Sequence, residues 1–306
     1  LTPLGAAIPI PATGGPFASS WGGAVAISAD GTRVAIGGNL GQTGMGGVWE
    51  WDGAAWVRLG GDLDSTAEQF GGLALSGDGS RVIVGDYRFG GTNGRARLFE
   101  YSAGTWNQLQ QWDGIGQSTY GMRAVTISED GKLVALGSTH TTVDNSHGRV
   151  RIYRQDGAST SWVSHGQTLY SLNPLSSYDH YGTQVSFSAD ATRLAVSAEH
   201  RYIAVYNYDE GTSQWTIMGS IHRSSSDHSS KVVTVQEDAI NHARLSGDGN
   251  SLVLVANTWD GSTQIDHTYV FEYDGTTWSQ KGSAFPYGMM TGTHRQGVAI
   301  NHDGTR

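Results

Sequence analysis

Residues 24 to 37 read Ala24-Val25-Ala26-Ile27-Ser28-Ala29-Asp30-Gly31-Thr32-Arg33-Val34-Ala35-Ile36-Gly37. Two short apolar runs flank an Asp-Gly pair. Asp-Gly between β-rich runs is a strong hairpin signal, because glycine takes the positive φ that the turn demands without steric cost. The same order recurs five more times, with turns at Asp78-Gly79, Asp130-Gly131, Asp190-Ala191, Asp248-Gly249 and Asp303-Gly304. Self-similarity of this kind decides the fold ahead of any local propensity.

Working outward, each hairpin supplies strands a and b of a unit. An aromatic strand c follows after a variable loop, as in Val48-Trp49-Glu50-Trp51, Leu98-Phe99-Glu100-Tyr101 and Val270-Phe271-Glu272-Tyr273. A second turn, such as Asp52-Gly53 or Asp274-Gly275, leads into strand d, which carries Trp56, Trp106, Trp162, Trp215 or Trp278. These tryptophans recur roughly every 50 to 60 residues, within the range expected of blade-type repeats.

Four short antiparallel strands per repeat predict an all-β fold, a β-propeller of four-stranded blades in a single domain over 1–306. The repeats place five complete blades near 22–63, 70–111, 120–169, 181–221 and 240–285, with partial blades at 1–8 and 297–306. Leu1 to Ile8 aligns with the strand d segment from Trp56, and Val298-Ala299-Ile300 reads as a strand a. A parent ring of six or seven blades is the expectation. In a six-bladed ring the N-terminal strand d completes the last blade. The five tryptophans are expected as wedges between blades, each costing roughly 3 to 5 kcal/mol if lost.

Composition bounds the function. Charged residues are 15%, and 44 glycines accompany 6 prolines, as in a folded, turn-rich chain. A net charge of -9 and a pI near 5.6 oppose binding to phosphate backbones, and no Lys/Arg cluster interrupts that field, so nucleic acid is not an expected partner. There is no cysteine, which excludes disulfides and thiol chemistry, and no apolar run long enough to insert into a membrane in this segment.

The repeat resembles the FG-GAP-like, integrin-type propeller repeats. The residues that carry the likeness are the aromatic-Gly entries Trp21-Gly22, Phe70-Gly71, Tyr120-Gly121 and Tyr181-Gly182, the Ser-x-Asp-Gly turn, and the later Gly-x-x-Trp strand. A weaker resemblance, to WD40 propellers, rests on Trp51-Asp52 and the Ser128 to Leu133 hairpin. The first likeness implies an extracellular or cell-surface module for adhesion or surface assembly, with other proteins and glycans as partners. Integrin-type members often hold Ca²⁺ in a loop with several carboxylates. The turns of this chain offer one carboxylate each, against six to eight oxygen ligands for Ca²⁺, so these aspartates read as turn formers and no cofactor is expected.

Catalytic signatures are missing: there is no phosphate-binding glycine loop, no His-Glu-x-x-His and no nucleophile elbow. The chain therefore reads as non-enzymatic. All 11 histidines fall from His140 onward, and His140, Asp144 and His147 lie in a connection that a propeller brings toward Asp179 and His180. Such a set has the residue types of a metal site, but the ligands keep no fixed repeat position, and solvated loop histidines are the reading. For ligand binding, aromatics beside polar groups suit sugars: Tyr87 with Arg88, Asp179 with Tyr181, and Trp259 with Asp260. A glycan-binding lectin and an intracellular WD40-like scaffold are the alternatives to the surface module.

Overall fold

The computed structural model describes residues 3–8, 20–40, 43–63, 70–86, 94–114, 122, 124–139, 148–157, 159–172, 180–198, 201–223, 232–235, 239–259, 264–290 and 298–305. These form five sheets, each with four antiparallel strands at its heart, in the architecture of a β-propeller. Contacts group the chain into two compact units, residues 1–143 with 153–163 and residues 144–152 with 164–306.

In the first unit, β1 (Ser20–Ile27), β2 (Arg33–Leu40), β3 (Thr43–Trp51) and β4 (Trp56–Leu59) pair in chain order. The next sheet repeats that order with β5 (Phe70–Leu75), β6 (Arg81–Asp86), β7 (Arg95–Ser102) and β8 (Thr105–Asp113). A third sheet, whose residues fall in both groups, runs β9 (Ala124–Ile127), β10 (Leu133–Ser138), β11 (Arg149–Gln155) and β12 (Trp162–Ser164), with β13 (Leu169–Tyr170) added on β11. In the second unit, β14 (Tyr181–Phe187), β15 (Arg193–Ala198), β16 (Tyr202–Asp209) and β17 (Gln214–Arg223) form the fourth blade, and β18 (Val232–Val235) joins β17 in parallel. The fifth holds β19 (Ala239–Leu245), β20 (Ser251–Trp259), β21 (Gln264–Tyr273) and β22 (Trp278–Gln280), with β23 (Phe285–Met290) also on β21.

Strand b of each blade is apolar on both faces because both are packed. Val82, Val134, Leu194 and Leu252, equivalent in the repeat, are all fully buried. Their neighbours Ile83 and Ala135 are fully buried too. In the first unit, one cluster joins Ala35, Val48 and Leu59 of the first blade to Phe70, Leu73, Val82 and Phe99 of the second. Another joins Ile83, Leu98 and Trp112 to Met122, Val125 and Val134. In the second unit, Ile203, Val205 and Ile221 pack against Leu245, Leu252, Leu254, Phe271 and Trp278.

Both expected partial strands are corrected. Residues 3–8 and 298–305 hold bends and turns but no strand. A strand is held by its ladder of backbone hydrogen bonds, and among the described residues neither segment has a neighbour to pair with.

Candidate functional site

The repeated polar residues build the turns. In the first, Asp30 Oδ1 accepts the Ser28 hydroxyl at 2.6 Å, the Thr32 amide at 2.9 Å and the Thr32 hydroxyl at 2.9 Å. Ser28 Oγ in turn accepts the Arg33 amide at 2.9 Å, so each group holds the next. Asp78, Asp190 and Asp248 repeat the arrangement with Ser76, Ser188 and Ser246. Hydrogen bonds to an ionised carboxylate favour it, and the Ser28 hydroxyl, followed by Thr32, pulls the Asp30 pKa down to about 2. At Asp190 burial pushes the other way, yet Ser188 and Thr192 keep the pKa below its usual value. These aspartates are turn formers with their lone pairs engaged.

The residue after each serine links blades. The Ala29 amide donates to the Gly77 carbonyl and the Gly77 amide to Glu129, both at 2.8 Å, in the first unit. In the second, Ala189 donates to Gly247 at 2.7 Å, while the donor to His302, at 2.9 Å, is Asp248, two residues after its serine. Arginine at the start of strand b adds a second link. Arg81 holds Glu100 of its own blade through Nε at 2.9 Å and Nη2 at 2.7 Å, while Nη1 reaches the Gly131 carbonyl at 3.0 Å and Gln155 at 2.8 Å. Arg33 reaches the Gly79 carbonyl at 3.2 Å, and Arg193 reaches Gly249 at 2.9 Å. Glycine at these turns supplies the positive φ and leaves room for the arginine: a Cβ on Gly79 would lie 2.6 Å from Arg33 Cδ.

The tryptophans form the third link. Trp56 Nε1 donates to the Leu4 carbonyl at 3.0 Å, Trp106 to Leu59 at 2.8 Å and Trp215 to His165 at 2.9 Å. Each acceptor precedes a left-handed glycine, Gly5, Gly60 or Gly166, that lies against the indole. Trp162 and Trp278 are also packed in, yet their buried Nε1 atoms have no acceptor among the described residues. The equivalent position is Gln110 in the blade that ends in β8 and Gly219, which is not left-handed, in the blade that ends in β17, and these outer strands run on for 9 and 10 residues. Trp106, Trp162 and Trp278 pack against the buried clusters, and Trp56, Trp106 and Trp215 add the hydrogen bond.

Most of the residues singled out for ligands or metals, Tyr87, Arg88, His140, His147, Asp179 and Asp260, lie outside the described residues. Trp259 ends β20, and its side chain is also outside them. His180 has φ 47 and is half-buried, with its carbonyl accepting the Thr183 amide at 3.2 Å. Tyr181 requires a correction. It is completely buried and donates its hydroxyl to Tyr206 Oη at 2.8 Å, so no ligand can stack on it. Burial raises its pKa well above the ordinary tyrosine value and takes Tyr206 to about 12. The sequence held the signal: Tyr181 occupies the aromatic-Gly entry position of Phe70, a core residue of the second blade. Among the described residues no three His, Asp or Glu side chains converge to hold a metal.

A groove of about 610 Å³ does open in the first unit, lined by Leu4, Ile8, Val34, Ile36 and Trp56. Beside it Val25 and Ile27 of β1 stand 61% and 60% exposed. This groove and the adjoining face of the first blade are the candidate binding surface among the described residues.

No protein-family model matches the chain, and no curated protein does. Solved propellers share the fold. A provisionally assigned 6-phosphogluconolactonase from Bacteroides uniformis superposes with a TM-score of 0.61 at 15% identity, over 92% of this chain and 76% of its own. A similarly assigned protein from Bacteroides fragilis gives 0.58 and 15%, over 92% and 75%. A protein from Lactobacillus plantarum gives 0.56 and 16%, over 88% and 70%. At such identities the likeness is one of fold, a four-stranded-blade propeller, which is coarser than an integrin-type assignment.

Proposed function

We propose that this propeller acts by binding, as an extracellular or cell-surface module for adhesion or for assembling a surface structure, with other proteins as partners and without a cofactor. The observation that supports it most is the use made of the repeated polar residues. Asp30, Asp78, Asp190 and Asp248, the serines beside them, and Arg33, Arg81 and Arg193 all engage their polar atoms within and between blades. The repeat thus builds a rigid support, and recognition falls to the surfaces that support presents. The net charge of -9 favours partners that are neutral or basic there. Among the described residues no helix is long and apolar enough to cross a membrane.

The likeness to provisionally assigned 6-phosphogluconolactonases raises a second reading, a sugar-lactone hydrolase, and the same experiment separates the two. Antibody to the protein is expected to label intact cells of the source organism, and purified protein is expected to leave 6-phosphogluconolactone at its uncatalysed rate. Labelling confined to permeabilised cells would overturn the surface reading. Accelerated lactone opening that follows the protein through purification would establish the enzyme.

A further inference from the structure

Arg244 breaks the pattern of its repeat. Four and two residues before the turn serine, the first strands of the first three blades carry Ala24 and Ala26, Gly72 and Ala74, and Ala124 and Thr126. In the fourth and fifth blades the same positions are Gln184 and Ser186 on β14, and His242 and Arg244 on β19, all within the second unit. Blades form with alanine, glycine or threonine there, so the arginine answers no need of the repeat.

The side chains of β14 reach β19 and fix that arginine. Gln184 Oε1 accepts the Ala243 amide at 3.3 Å and Arg244 Nη1 at 3.4 Å, and Ser186 Oγ accepts the Leu245 amide at 3.2 Å. With its oxygen held by those donors, Gln184 turns its nitrogen to His242 Nδ1. Arg244 Nη1 also donates to the Ala243 carbonyl at 3.0 Å. Nη1 is thereby used, while Nε and Nη2, the side-on fork of the guanidinium, engage no group among the described residues.

Arg33, Arg58, Arg81 and Arg95 each pair with a carboxylate, and the buried Arg97 lies in the field of Asp113. Arg244 has no such partner among the described residues. It is exposed between the buried Ala243 and Leu245, yet the protein around it desolvates its charge and lowers its pKa with no acid to offset the cost. A cation that is both reachable and desolvated stands in a recess, where its attraction for an anion is screened less than on an open surface.

We propose that the recess at Arg244 is a binding site for a small organic carboxylate, held side-on by Nε and Nη2. Gln184 and the Ala243 carbonyl fix the guanidinium through Nη1 and leave the fork for the ligand. The two parallel N–H bonds of the fork match the two oxygens of a carboxylate. One positive charge in a chain of net charge -9 suits a monoanion better than a doubly charged phosphate. The site stands whether or not the chain works at a cell surface.

Phenylglyoxal, which modifies accessible guanidiniums, tests this on the unaltered chain, with peptide mass mapping to read each arginine. Sodium acetate is expected to slow modification of Arg244 at least about threefold, as when two-thirds of the sites are occupied, and to leave Arg193 unchanged. Sodium chloride at equal ionic strength is expected to do neither, and equal slowing by chloride would reduce the effect to screening and overturn the proposal. Stronger protection by inorganic phosphate, or by poly-glutamate, overturns it too, the first in favour of a phosphate and the second in favour of a protein acid. Acetate is also expected to raise the thermal midpoint of the wild type above that in chloride, but not that of Arg244→Lys, which keeps the charge without the fork. Arg244→Ala is expected to melt with the wild type, because Ala26 and Ala74 hold the same place in the repeat. A loss as large as that of Arg193→Ala would make Arg244 a link between blades and overturn the proposal.

Discussion

The Trp106 indole donates to the carbonyl of Leu59 at 2.8 Å, joining the outer strands of two adjacent blades. Trp162 packs edge-on against Trp112 at a centroid distance of 5.5 Å, but its Nε1 has no acceptor among the described residues. Trp106→Phe keeps a ring and removes a hydrogen bond, leaving a carbonyl to be satisfied, and is expected to cost about 1 kcal/mol more than Trp162→Phe. Urea midpoints of the two variants, side by side, measure the difference. Equal losses would mean that the bond contributes nothing beyond the ring.

Arg81 is the most heavily engaged of the bridging arginines. Arg81→Leu removes the Glu100 pair and the bonds to Gly131 and Gln155, with an expected loss of about 2 kcal/mol. Arg81→Lys should recover only part, because an ammonium lacks the fork that serves both blades at once. The Glu100 end is partly exposed, so 1 M salt is expected to weaken the wild type slightly and the Leu variant less.

Two glycines separate backbone strain from crowding. Gly53 has φ 100 and open space around it, whereas Gly166 has φ 79 and a Cβ there would lie 2.7 Å from Trp215 Cδ1. Gly53→Ala is expected to cost about 1 to 2 kcal/mol for the left-handed conformation alone. Gly166→Ala adds displacement of the indole, and a shift in Trp215 fluorescence should accompany its larger loss of thermal stability.

Acid is expected to loosen the turns in a defined window. Asp30 falls from 3.8 to about 2 in the folded protein, so the unfolded chain binds more protons between those values. The stability linked to this group is complete above about pH 4 and is lost as the pH falls toward 2. Asp52, Asp209, Asp274 and Asp303 are shifted the same way by hydrogen bonds at their own turns. Urea midpoints should drop most steeply in that interval, and Asp30→Asn should lessen the slope. An unchanged slope would remove Asp30 from the account.

Much of the fold was legible because blades are built locally. The alternation in Ala24 to Gly37, its Asp-Gly turn and the tryptophan period required β1 to β4 and their repeats, since four consecutive strands pair with their sequence neighbours. The site was less legible. Tyr181 reads as a polar aromatic beside a loop, and only its repeat position, shared with Phe70, marks it as core. Arg33, Arg81 and Arg193 recur at one position, a signal present in the sequence but not by itself informative about which carbonyl each reaches.

The sequence alone determined the strand order, the turn chemistry and the blade as the unit of the fold, because these rest on contacts between residues close in the chain. Only the tertiary structure decided which apolar faces are covered. Val25 and Val125 are the same residue at the same repeat position, yet one is 61% exposed and the other 8%. The physical reason is that each blade supplies just one half of every interface, and whether the other half is present is a property of the neighbour.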